Sequence, residues 1–109
     1  MLVTGYRAMW VLVMFDLPVD SKEARRAYTR FRHGLIENGF VMLQYSVYAR
    51  PCASEENAIV HFRRVKATLP PAGQVRMLTI TDKQYGRMKI YESKKRVPTE
   101  KPPEQLAFF

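Results

Sequence analysis

A chain of 109 residues holds one domain, and its 47% of hydrophobic residues supply a real but modest core that a second chain would help to cover. The 18 Lys and Arg against 10 Asp and Glu leave a formal charge of +8, which suits a polyanionic partner such as nucleic acid. The single cysteine, Cys52, excludes an intramolecular disulfide and a cysteine-based metal site within one chain. The apolar run before Asp16 is too short to span a bilayer and lacks a signal-peptide layout, so a cytoplasmic, membrane-free protein is expected.

Residues 8–15, Ala-Met-Trp-Val-Leu-Val-Met-Phe, are apolar at every position, the pattern of a central strand covered on both faces, or on one face by helices and on the other by a partner. Leu17-Pro18-Val19 reads as a turn, and Asp20 with Glu23 three residues on reads as a capping box opening a helix toward Asn38. Ala24, Tyr28, Phe31 and Leu35 form one apolar stripe of that helix, with Asn38-Gly39 as its left-handed C-cap. Residues 40–48 are aromatic and β-branched, with no sign of where one strand ends and the next begins, and Arg50-Pro51 is expected to break the run. Ser54, ahead of Glu55 and Glu56, starts a second helix with Ile59, Phe62, Val65 and Leu69 as its buried stripe, ended by Pro70, Pro71 and Gly73. Residues 75–80 form a further strand, Thr81-Asp82-Lys83-Gln84 a second capping box with a short helix, and residues 88–91 extend again.

This order is that of an α+β, ferredoxin-like βαββαβ sandwich over residues 1–92. Residues 93–109 read as a proline-rich linker closing on a short apolar strand. Leu106, Phe108 and Phe109 are too apolar for a solvated tail and are expected to dock on a sheet edge or a partner. The first strand and those after Gly39 present more apolar surface than two helices can cover, so a homodimer is expected.

Asp16 stands at the C-terminal rim of the first strand. There it serves either as an oxygen ligand to a hard cation such as Mg²⁺ or as a turn cap ahead of Pro18. His33 and His61 lie on separate helices without metal-ligand spacing and read as solvated or interface side chains. The basic residues recur on two helices: Arg25, Arg26, Arg30 and Arg32 on the first, Arg63, Arg64 and Lys66 on the second. Arginine forks suit phosphate, and nothing indicates base reading. Tyr45, Tyr48 and Tyr85 sit at strand-like positions and read as sheet core rather than base-stacking platforms.

Four blocks together resemble the CRISPR-associated protein 2 family in its type II form: Met9-Trp-Val-Leu-Val-Met-Phe-Asp-Leu-Pro-Val-Asp20, Arg26-Ala-Tyr, Gly39-Phe-Val-Met-Leu-Gln-Tyr-Ser-Val-Tyr48 and Leu78-Thr-Ile-Thr-Asp-Lys-Gln-Tyr85. The resemblance implies a homodimer with facing sheets and crossing C-terminal strands. It further implies assembly with CRISPR-associated protein 1, the integrase, around a DNA duplex during spacer acquisition in antiviral defence. It makes Asp16 a catalytic Mg²⁺ ligand, one from each subunit across the two-fold axis, in an endonuclease that hydrolyses RNA or DNA. Two readings of function follow: a duplex-gripping scaffold, and a Mg²⁺-dependent phosphodiesterase.

Overall fold

In the computed structural model, which describes residues 8–102, the all-apolar run becomes β1 (Met9–Asp16) at the heart of a four-stranded antiparallel sheet. Along the chain follow α1 (Lys22–Glu37), β2 (Val41–Gln44), β3 (Val47–Cys52), α2 (Glu55–Lys66), β4 (Gln74–Thr81), α3 (Asp82–Gly86), β5 (Ile90–Glu92) and β6 (Lys95–Val97). The sheet order β2-β3-β1-β4 is the ferredoxin-like one, with β1 paired to β3 on one edge and to β4 on the other. No helix among the described residues is long and apolar enough to cross a membrane.

Strand alternation gives β1 two jobs. Its odd-numbered side chains, Met9, Val11, Val13 and Phe15, join Phe31 and Leu35 of α1 and Ala58 and Val65 of α2 in the main core. Its even-numbered Trp10 and Leu12 face the other way and pack with Ala49 and Tyr85 in a smaller cluster. Trp10 and Tyr85 stack at 3.7 Å, and the Trp10 indole N–H donates to Asp82 Oδ1 at 2.7 Å, so α3 is pinned over one end of the second face. Leu43, Ile80 and Met88 also pack against this cluster, while part of the face stays open, with Leu78, opposite Leu12 in the ladder, 51% exposed.

Several local readings need correction. The N-cap of α1 is Ser21, whose hydroxyl accepts from the Ala24 N–H, and Asp20 lies outside the helix, exposed. Arg50 and Pro51 do not break β3, which continues to Cys52. β2 reaches only as far as Ala49, so the flank of β3 at Pro51 is open and tolerates a residue without an N–H. Arg50 is buried because it closes α1: its Nε donates to the Asn38 carbonyl at 2.7 Å, one of the carbonyls a helix end leaves unpaired. The expected linker opens with a paired strand, since β5 and β6 form a hairpin turning at Ser93 and Lys94, both at positive φ. The capping box at Thr81 is present with both of its hydrogen bonds.

The buried stripe of α2 is Ala58, His61 and Val65, with Phe62 half-buried, while Ile59 and Leu69 are exposed. A histidine occupies a core position, which rotates the buried face away from that expected. His61 is therefore neither solvated nor at a surface. Burial, and then the Arg50 and Arg64 guanidinium groups, lower its pKa from 6.5 to about 4. Unfolded His61 binds its proton near pH 6.5 and folded His61 only near 4, so between these values the unfolded chain holds more protons. This contribution to stability is full above about pH 6.5 and is lost as pH falls toward 4. The denaturant midpoint of the wild type should thus fall more steeply across that window than that of His61→Gln; parallel pH profiles would contradict the buried, neutral histidine.

Candidate nucleic-acid interface

On α1 the helical repeat sets Lys22, Arg26 and Arg30 four residues apart on one side, with Arg25, Thr29 and His33 filling the adjacent row. These side chains line a shallow open groove of about 600 Å³ whose far end carries Gly34 and Glu37. Arg25 is held at its guanidinium tip, donating from NH1 to the Val19 carbonyl at 3.0 Å, which ties the groove to the turn after β1. The structure thus gathers Arg25, Arg26 and Arg30 and leaves the other candidate arginines outside. Arg32 is half-buried on another flank, and Arg63 and Arg64 are exposed in the last turn of α2, where cations complement the carbonyl end of the helix.

Asp16 ends β1 opposite Gln74 and is exposed, continuing the even-numbered series that faces the open side of the sheet. Its backbone is held tightly. Gly73 sits at φ +92, and a Cβ there would lie 2.7 Å from the Asp16 carbonyl oxygen and 2.7 Å from Leu17 Cδ2. Only glycine satisfies both the left-handed backbone and the missing space. Among the described residues no three His, Cys, Asp or Glu side chains come together as a metal-binding group. Asp16 thus belongs to no cluster of three such ligands among the described residues, and as a hard oxygen donor it fits Mg²⁺ when the shell is completed by water, phosphate or a second copy.

The remaining titratable groups serve the fold. Cys52 is buried, its thiol pKa raised by burial against an opposing effect of Arg50, whose NH1 lies 3.8 Å from Sγ. Burial, and then the Glu100 carboxylate that accepts its hydroxyl at 3.3 Å, push the Tyr85 pKa upward, so this ring stays a neutral packing group. Tyr48 is core as expected, whereas Tyr45 is 87% exposed in the β2–β3 turn. Leu106, Phe108 and Phe109 lie outside the described residues. Sequence reasoning missed Gly34 as part of the groove. It read Gly73 as a mere helix stop, because the contact with Asp16 joins residues far apart in the chain.

Residues 9–88 match the sequence profile of the family described as CRISPR associated protein Cas2. A protein of Parvibaculum lavamentivorans named CRISPR-associated endoribonuclease Cas2 is 59% identical, over 93% of this chain and 100% of its own length. Proteins of the same name from Flavobacterium psychrophilum and Paracidovorax avenae are 46% and 44% identical, over 95% and 99% of this chain and 90% and 100% of theirs.

The close approach at Gly73 predicts that Gly73→Ala destabilises the chain by more than about 1 kcal/mol, because it adds both a strained φ and a backbone collision. A denaturation midpoint equal to that of the wild type would show that the end of β1 gives way freely.

Proposed function

Since this chain belongs to the Cas2 family of CRISPR-associated proteins, we propose that it acts in CRISPR spacer acquisition as a homodimeric subunit holding duplex DNA beside the family's integrase partner, CRISPR-associated protein 1. The observation that carries this reading is the contrast between a basic groove on α1 and an Asp16 that stands in no cluster of three metal-binding side chains among the described residues. One copy has a grip for phosphates but an incomplete set of ligands for a metal. The open face around Leu78 and Asp16 invites a second copy, which would bury the leucine and bring two Asp16 side chains toward the dyad. Contacts from arginine and lysine to phosphate hold a duplex without reading its sequence, as a spacer-handling protein needs.

A second reading rests on Asp16 and on the relatives, whose names describe them as endoribonucleases. Here Asp16 and its symmetry mate would hold Mg²⁺, and the bound ion would supply Lewis-acid activation for phosphodiester hydrolysis. The chain's own part is to present the carboxylate at a fixed strand end, with Gly73 packed against its peptide.

Two variants separate the readings. Asp16→Asn keeps an acceptor of nearly the same shape and loses the charge a hard cation requires, so folding and assembly should persist while Mg²⁺-dependent cleavage disappears. Spacer gain in cells should survive Asp16→Asn and fall sharply with Arg26→Ala combined with Arg30→Ala. Loss of spacer gain in Asp16→Asn would make hydrolysis an obligatory step. Full spacer gain in the arginine variant would remove the α1 grip from the function.

A further inference from the structure

Gly34 lies inside α1, at a place where no contact among the described residues calls for a glycine. Among the described residues a methyl group there would meet nothing within 4 Å, and the residue is not at positive φ. Its carbonyl accepts from the Asn38 backbone at 3.1 Å and from Asn38 Nδ2 at 2.9 Å, contacts that any residue would provide. In a helix interior, glycine is less stable than alanine because it gives up more backbone freedom on folding. The fold alone therefore favours alanine.

What glycine offers instead is close approach to the helix backbone from outside, and the groove says what approaches. Gly34 continues the series Lys22, Arg26, Arg30 at four-residue steps, so it is the next position on the same side of α1 and borders the same groove. Over those 12 residues the helix rises about 18 Å, the axial reach of about five phosphates of one DNA strand. The row is cationic up to Gly34, and Glu37, one turn on, ends it. A partner running along this track is a polyanion, and it meets bare helix where the cations stop.

We infer that Gly34 is the point of closest approach between α1 and the sugar-phosphate backbone of a duplex, with Lys22, Arg26 and Arg30 gripping the phosphates that lead up to it. This assignment rests on the duplex-binding reading given above. A Cβ at this position would hold the duplex off the helix and loosen the neighbouring charge-assisted contacts, which depend steeply on distance.

The test is a paired measurement of thermal stability and duplex affinity on Gly34→Ala, with Arg26→Ala as the reference variant. The probe is a short random-sequence DNA duplex, with an RNA duplex of the same sequence beside it to identify which backbone the groove takes. Gly34→Ala should melt at a higher temperature than the wild type yet bind the preferred duplex about tenfold more weakly, a stability gain coupled to a binding loss that an ordinary surface position does not give. Unchanged affinity in Gly34→Ala while Arg26→Ala binds weakly would overturn the role of Gly34 and leave the duplex reading standing. Unchanged affinity in both variants would overturn both. A lowered melting temperature would mean that the fold itself requires the glycine, which also defeats the inference.

Discussion

The structure depends on β1 being apolar on both faces and paired on both edges. Val11 and Val13 are fully buried toward the helices, while Trp10 is sealed on the other side by Tyr85. A strand so placed cannot slip by one residue without turning its whole side-chain set over, so its register is strongly specified. That register delivers Asp16 to the open face of the sheet. Gly73 then locks the strand end, since β4 begins one residue later and pairs back from Gln74 to Asp16.

The two sides of the molecule carry different chemistry. The outer side of α1 is cationic and polar, built for a partner held through charge, and such contacts weaken as salt rises. The other side of the sheet carries Asp16 at its rim with Gln74 and Arg76 beside it in the ladder, and its exposed Leu78 is better covered by protein than by nucleic acid. The proposed function assigns nucleic acid to the first side and a second subunit to the other.

Much of this was legible in the sequence wherever one element answers to one local rule. The unbroken apolar run gave β1, the 4-3-4 spacing gave the Phe31–Leu35 face of α1, and Thr81 with Gln84 gave the cap of α3. Errors arose where a polar residue plays an apolar part. His61 takes a core place on α2, and Arg50 is buried as the cap of α1, so hydropathy pointed the stripe and the strand end the wrong way. The β5–β6 hairpin stayed hidden because its turn uses Ser93 and Lys94 rather than the Asn-Gly or Asp-Gly that signals such turns. For the candidate site, the strand rim at Asp16 and the arginines of α1 could be named in advance. Gly34 and Gly73 could not, because a glycine's reason is what a Cβ would or would not touch, and that is a property of three dimensions.

The central claim is that the open face of the sheet is completed by a second copy of this chain. Sedimentation equilibrium at micromolar concentration, run on the wild type and on Leu78→Asp, tests it most directly. A leucine half-exposed in one copy and covered by its mate should make the wild type sediment at twice the monomer mass and the aspartate variant, with its secondary structure intact, at the monomer mass. A monomeric wild type, or a variant that remains fully dimeric, would contradict the account.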